Sequence, residues 1–388
     1  MERKDGSLMN DYSPSKKIWN KFKKNKFAVG GLLFIVATMI IGILGYLITP
    51  DQTPMANTMH LQLSNKKPGR SFKFLIINRS TSVEQVNVFE KMLYGQEANF
   101  KSIPINGYKI IGDRVEAEAY IGDDEPGERT IYALKELCSS CDLKNPQTLE
   151  AQFAANNIYE QRFLLGSDIY GRDLLSRLIL GVRVSLSVGL MAVIISLLIG
   201  ISLGALAGYF GGKIDASISW FMNVIWSLPS LLLVIAISFA LGKGFWQIFI
   251  AVGLSTWVDV ARLVRGQVMA LKEVEFVEAS RALGFSTSRI IIKHILPNIA
   301  GPILVVASAN FASAILLETG LSFLGFGAQP PMPSWGTMIK EHYGYIIMDA
   351  AYLAVLPGLA IMFTVYAFNV LAIGLRDAFD VKSQNVTV

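Results

Sequence analysis

The chain has little charge and few reactive side chains. Asp, Glu, Lys and Arg together make up only 17% of its 388 residues, beside three histidines and two cysteines. No G-x-x-x-x-G-K-[ST] phosphate loop occurs, so the chain is not expected to hydrolyse ATP itself. H-E-x-x-H is missing too, and serine, histidine and acidic residues never gather into a suggestive cluster. No catalytic residue is assigned, which counts against an intramembrane enzyme. A zinc site needs more ligands than His60, His294 and His342 supply beside the cysteine pair, so no metal or other cofactor is expected on this chain.

What the chain does have is apolar sequence. Hydrophobic residues make up 52%, far above the norm for soluble domains. A helix needs about 20 residues to cross a hydrocarbon core. Six stretches qualify: Phe27–Ile48, Val184–Tyr209, Ile218–Leu241, Phe245–Val264, Ile299–Leu324 and Ala351–Leu375. The third and fourth are separated only by Gly242–Gly244, with Lys243 as a snorkelling loop residue. In lipid the backbone must satisfy its own hydrogen bonds, so helices are expected. The fold class that follows is mainly α: a polytopic bundle of six spans. The first span is not a cleaved signal peptide, being too long and lacking a small-residue cleavage site.

Orientation is read from Lys and Arg. Residues 1–26 form a tail carrying Arg3, Lys4, Lys16, Lys17, Lys21, Lys23, Lys24 and Lys26, which places it in the cytoplasm. Six crossings return the C-terminal tail, 377–388, to the same side, together with the basic stretch Arg262–Lys293. Arg162, Arg172, Arg177 and Arg183 then fall outside, where Asp168 and Asp173 are available to pair with them. The net charge of +5 accordingly reads as membrane orientation, not nucleic-acid binding.

Residues 49–160 are different material: polar, mixed in charge and without a span-length apolar run. Phe72–Ile77 reads as a strand, and Tyr108–Ile111 and Val115–Ile121 flank Gly112-Asp113 as a hairpin. Val83–Leu93, Thr130–Leu137 and Leu149–Tyr159 read as helices. This predicts a small extracytoplasmic α+β insert. Cys138 and Cys141 lie in it at C-x-x-C spacing, and a local disulfide and a reduced pair both stay open. Residues 161–183 follow as an amphipathic lead-in to the five-span core, 184–376.

Inside the core, Ala192, Ser196, Gly200, Gly204 and Gly208 are small residues four apart, a stripe that lets another backbone approach closely. The approaching helix belongs either to this chain or to a second subunit. Glu318 is an ionisable residue within a span, expected to serve structure or gating more than substrate contact. Trp335 reads as an interfacial anchor of an outer loop, and Asp259, Arg262 and Arg265 as an ion-paired helix end.

The most informative segment is the polar loop 265–298, and within it Glu278–Asn298, EASRALGFSTSRIIIKHILPN. Phe276, Ala279, Leu283, Ile291 and Ile295 recur at helical spacing, so one face can dock on a partner. Gly284 permits a positive-φ turn, and Pro297 can open the next membrane helix. The pattern Glu278-Ala279, Gly284 and Leu296-Pro297 resembles the loop of ABC importer permeases that contacts the ATPase. Ser280 departs from the usual second alanine and His294 from a usual apolar residue.

Three further blocks resemble oligopeptide and dipeptide permeases of the C type, inner-membrane components that depend on a binding protein. The first carries Gly166, Asp168, Gly171, Arg172, Asp173 and Arg177 before the second span. The second runs from Leu317 through Glu318 to Gly327 and on through Trp335 to Gly336; the third is Gly374–Asp377 with Phe379 and Asp380. The insert is larger than the resemblance leads one to expect. The implied role is a non-catalytic permease subunit for peptides or related solutes in the lipid bilayer. The implied partners are a second permease, two ATPase chains carrying ATP and Mg, and an extracytoplasmic binding protein. Two rivals are a secondary transporter, which would show broken spans in matched halves, and a membrane-anchored sensor or redox protein acting through residues 51–160.

Overall fold

The computed structural model describes residues 14–79, 83–123, 125–138, 141, 146–242 and 244–379. The start of the basic tail, Lys243 and residues 380–388, Asp380 among them, lie outside that set. Helix α1 (Pro14–Lys24) leads into α2 (Lys26–Ile48), the first candidate span. The insert follows: β1 (Arg70–Asn78), α3 (Val88–Tyr94), β2 (Phe100–Ile111), β3 (Arg114–Ala119), β4 (Arg129–Ala133), α4 (Leu134–Leu137), α5 (Pro146–Asn157) and β5 (Ile158–Phe163). The membrane part contains α6 (Leu174–Phe210), α7 (Gly212–Trp226), α8 (Ser230–Leu241), α9 (Phe245–Leu271), α10 (Glu275–Ala282) and α11 (Thr287–Arg289). It ends with α12 (Ala300–Leu324), α13 (Trp335–His342) and α14 (Tyr352–Phe379).

Among the described residues, five helices are long and apolar enough to cross a membrane, with α11 through α12 counted as one. A sixth exists only if α7 and α8 are taken together, and these are bent by 95°. The straight third span expected over Ile218–Leu241 is therefore corrected to a broken one. Pro229 is the cause: it has no N–H to donate and disfavours helical geometry at Leu228. It precedes α8 with ψ 124°, and Ser227 turns its hydroxyl back to the Val224 carbonyl at 2.7 Å.

The insert is one antiparallel sheet of order β4-β3-β2-β1-β5. The Gly112-Asp113 turn joins β2 to β3 with Gly112 at φ +62°. Phe74 and Leu75, adjacent along β1, project to opposite faces. Phe74 meets Leu63, Phe72 and Phe163, while Leu75 meets Ile105, Val115, Leu134 and Phe153. Three helix boundaries differ from expectation. Residues 83–87 are not helical, because Asn87 caps α3 in a reciprocal box with Glu90. Thr130–Ala133, rich in residues that suit a pleated surface, pairs with β3 as strand, leaving only Leu134–Leu137 helical. Tyr159 belongs to β5, which pairs with β1. The stretch 161–183 likewise divides between the end of β5 and the opening turns of α6.

The insert is fastened to the spans along one strap. His60 N–H donates to the Tyr170 carbonyl (3.1 Å), Ser64 Oγ to Ile169 (2.9 Å) and Asn65 N–H to Asp168 (3.0 Å). Ser167 N–H donates to Lys66, whose carbonyl also accepts from the Tyr352 hydroxyl at 2.9 Å.

His60 is buried where the strap meets the sheet, 4.9 Å from the Phe74 ring and 3.3 Å from Ser102 Oγ. Burial lowers its pKa to about 4, against a weaker pull upward from Asp51. A depressed folded-state pKa contributes stability above the unfolded value and loses it as pH falls through the folded one. The fold should thus weaken between pH 6.5 and about 4, by at most about 3 kcal/mol from this residue. Urea melts of wild type and His60→Gln across that range test this, and an equal acid slope in both would refute it.

Cys138 and Cys141 are bonded, with Cα atoms 5.5 Å apart, beside the buried Leu137 and Phe153. The loop they close is very short, so the chain-entropy gain is about 2 kcal/mol at most. Cys138→Ser/Cys141→Ser should lower the melting temperature slightly and leave transport largely intact. Lost transport with an unchanged melt would contradict a purely structural bond.

Candidate functional site

The loop between α9 and α12 is a folded object. Glu275 and Glu278 sit in the first turn of α10, where negative charge suits the helix dipole. The helix ends on Gly284 at φ +76°, with Gly284 N–H donating to Arg281 and Phe285 N–H to Ser280. These two bonds satisfy the last carbonyls in the manner of a Schellman cap. A Cβ at Gly284 would meet nothing within 4 Å, so the glycine is required for its φ and not for space.

One side of the loop is rooted. Val277, Ile290, Ile295 and Ile299 are buried against Val264 and Val268 of α9 and Ala205 of α6. The other side is open: Leu283 is 73% exposed, Ile292 is 62% exposed, and Phe276, Glu278 and Ala279 are also exposed. The expected docking face is thereby corrected in its second half. Ile295 points inward and Ile291 is half-buried, because Ile290–Ile295 is a π turn and rotates the faces away from α-helical spacing. His294 is half-buried and stacks on Phe285, centroids 5.8 Å apart, with the Arg289 guanidinium 4.1 Å from the same ring. Pro297 is exposed in a 3₁₀ turn just before α12.

The charges near this loop do not form the single ion-paired helix end expected for Asp259, Arg262 and Arg265. Arg265 makes two bonds to Asp215 of α7, at 2.5 and 2.7 Å. Arg262 donates to Asn223 Oδ1 and covers the Trp226 ring. Asp215 is the partner that periodicity alone did not single out; its signal was the lone acid of α7, one turn inside the helix. Asp259 makes no ion pair among the described residues. It stands exposed near the middle of α9, on a cavity of about 440 Å³ at the α7–α8 break. Trp226, Ser230, Ser255 and Ser313 line the same cavity, and the free N–H groups of α8 begin beside it. A carboxylate at span depth is tolerated where it faces water or the bundle interior, and this cavity supplies such a place.

Glu318 lies elsewhere, fully buried. Its Oε1 accepts from Ser322 Oγ at 2.7 Å, with the hydroxyls of Ser185 and Ser334 beside the carboxyl. It does not line the cavity. Trp335 is corrected from interfacial anchor to core: it is 1% exposed, and its indole N–H donates to the Leu178 carbonyl at 3.0 Å. Gly181 makes room for it, since a Cβ there would lie 2.9 Å from Trp335 Cδ1.

The block before α6 comes together around Asp168, which is fully buried. Its carboxylate accepts from the Arg172 and Tyr170 backbone N–H groups and from Arg172 Nε at 2.6 Å, with Arg177 Nε 3.6 Å away. Arg172 also reaches Glu341 at 3.2 Å. Asp173 caps α6 by accepting from Ser176 N–H at 2.8 Å, and burial pushes its carboxyl pKa up. Gly166 and Gly171, both at positive φ, bring the chain against the backbones of Lys66 and His60, where a Cβ has no room.

The small-residue stripe packs within the chain. Ser196 accepts from Asn310 Nδ2 at 3.3 Å; Gly200, Gly204 and Gly208 face Val260, Ala261 and Arg265 of α9 in turn. A Cβ at Gly204 would lie 2.5 Å from the Ala261 carbonyl oxygen and 2.9 Å from Val264 Cβ. Gly204→Leu should cost about 1–3 kcal/mol or more through overpacking. Gly266→Ala on α9, where a Cβ meets nothing within 4 Å, should be close to neutral. Thermal melts in detergent compare the two, and equal melts would rule out this packing.

Residues 200–384 match the family model described as the binding-protein-dependent transport system inner membrane component. Residues 13–68 match the N-terminal transmembrane domain of oligopeptide transport permease C. Neither match covers 69–199, which holds the five-stranded sheet of the insert and most of α6. The di/tripeptide transport system permease protein DppC of Pseudomonas aeruginosa is 45% identical over 226 residues, 58% of this chain and 74% of that one. The dipeptide transport system permease protein DppC of Alkalihalophilus pseudofirmus is 43% identical over 220 residues, 57% and 72% of the two chains. The glutathione transport system permease protein GsiD of Pectobacterium atrosepticum is 41% identical over 218 residues, 56% and 72%. With helical spans, a rooted loop and these relatives together, the chain belongs to the binding-protein-dependent permease family, the membrane-spanning subunits of ABC importers.

Proposed function

We propose that this permease passes a small peptide or related small solute across the cytoplasmic membrane, driven by ATP hydrolysis on partner chains. Relatives named for dipeptide, di/tripeptide and glutathione transport support the substrate class. Two ATPase chains holding ATP and Mg, a second permease and an extracytoplasmic binding protein complete the machine. Both termini and the α9–α12 loop face the cytoplasm, where the ATPases are; the insert faces the side from which solute arrives.

One observation carries the coupling: the loop is exposed on one side and rooted on the other. Phe276, Glu278 and Leu283 offer a surface with an apolar rim and a negative charge. Val277, Ile290 and Ile295 pass any displacement of that surface to α9, and the Asp215–Arg265 pair carries it to α7. The cavity at Asp259 is lined by the helices so moved, α7 and α9, together with α8 and α12. A partner that binds the two positions of the loop with different affinity thereby biases two arrangements of the bundle.

Gly284→Leu tests this, since a branched side chain in the left-handed region costs about 1–2 kcal/mol and remodels the end of α10. Substrate-stimulated ATP hydrolysis of the assembled transporter should fall about tenfold, the effect of losing 1–2 kcal/mol of coupling. Gly284→Asn, which tolerates positive φ, should keep most of it. Normal coupling in a folded, assembled Gly284→Leu transporter would defeat the proposal.

A further inference from the structure

Helix α3 of the insert buries none of its side chains. Val88, Phe89, Leu93 and Tyr94 are 67%, 76%, 50% and 71% exposed. A helix this short is marginal in water by itself and normally persists by burying an apolar face. Phe89, Met92 and Leu93 share one face; Glu90 and Lys91 lie away from it.

Its position explains what covers that face. The Leu93 carbonyl accepts from Arg183 Nη1 at 3.1 Å, and the Arg183 guanidinium lies 5.2 Å from the Tyr46 ring of α2. Arg183 and Val182 pack on Gly42 and Gly45 of the same span. Just past α3, Gly95 is pressed against Tyr46, Gln52 and Pro54: a Cβ there would lie 3.0 Å from Tyr46 Cε1 and 2.8 Å from the Gln52 oxygen. Helix α2 ends at Ile48, about 9 Å beyond Gly42 at 1.5 Å per residue. Helix α3 therefore lies beside the last two turns of a membrane span. On α2 at that depth, Ile43, Leu44 and Ile48 are exposed, as residues that face lipid would be.

We propose that α3 is an interfacial anchor whose ligand is the bilayer itself, at the boundary between headgroups and acyl chains. Phe89 and Leu93 enter the apolar edge. Tyr94 sits at headgroup level, as aromatic residues do at interfaces. Arg183 extends to the same level and ties the helix to α6 through the Leu93 carbonyl. The insert is thus held by lipid on one flank and by its strap on the other. At the end of a membrane span the surrounding medium is lipid and its headgroups, so lipid is the favoured occupant. Nothing in this inference depends on which solute is carried.

The test uses the full chain in the assembled transporter, in phosphatidylethanolamine/phosphatidylglycerol nanodiscs. A nitroxide is attached at Phe89→Cys and separately at Leu93→Cys; the native cysteines are bonded to each other and do not compete under non-reducing conditions. Accessibility to oxygen should exceed accessibility to a water-soluble nickel chelate severalfold, as for a label at Ile43→Cys on the span. The reverse ratio, as for a label at the exposed Ile131→Cys on β4, would overturn the proposal. Exclusion of both reagents would overturn it equally, by showing that protein covers the helix.

Discussion

Everything at the junction of insert and membrane depends on one buried carboxylate. Asp168 has no exposed surface, and a charge there is tolerable only with close, well-directed partners. It has them: two backbone N–H groups and Arg172, with Arg177 within 4 Å. Those two arginines are themselves 2% exposed. Arg172 continues to Asn57 in the linker after the first span and to Glu341 near the last, so distant parts of the chain converge on one charge. Removing the carboxylate would leave two buried guanidiniums short of an anion, which is far more disruptive than removing an exposed ion pair. Of the four arginines before the second expected span, Arg172 and Arg177 thus form the interior of a structural cluster and do not report on orientation.

The same separation of roles runs through the membrane part. Residues that sequence motifs bring to attention, such as Glu318 and Trp335, form the packing between α6, α12 and α13. The groups near the cavity were less conspicuous. Asp259 stands where a proline breaks the third span, so one face of α9 holds a carboxylate with no ion pair among the described residues while the helix before it turns away. The α9–α12 loop divides its apolar residues, with Val277, Ile290 and Ile295 rooted and Phe276 and Leu283 displayed beside Glu278. Among the described residues there is one bent pair of helices, not the matched pair that a transporter of inverted halves would show.

How much of this was legible follows from what each signal measures. Long apolar runs located the spans because lipid allows few alternatives. The stripe Gly200, Gly204, Gly208 announced a close neighbour but not which one, since spacing describes one surface only. The π turn at Ile290–Ile295 was invisible because face assignments presuppose 3.6 residues per turn. The third span was misjudged for a different reason: its composition is suitable throughout, and the single residue that decides its shape, Pro229, barely lowers the hydropathy. In the insert, Thr130–Ala133 joined a sheet because an edge was there to receive it, a tertiary fact with no local signature.

The two ends of the insert are neighbours. Arg70 at the start of β1 lies opposite Phe163 at the end of β5, and Gly69 N–H donates to the Phe163 carbonyl at 2.8 Å. The chain leaves the membrane part and returns to it through adjacent strands of one sheet. Beyond that paired stalk the domain touches the spans again through α3 and Gly95, at Arg183 and Tyr46. Such an arrangement behaves as a socket: strands added at the β4 edge of the sheet would enlarge the domain without moving either of its attachments to the spans.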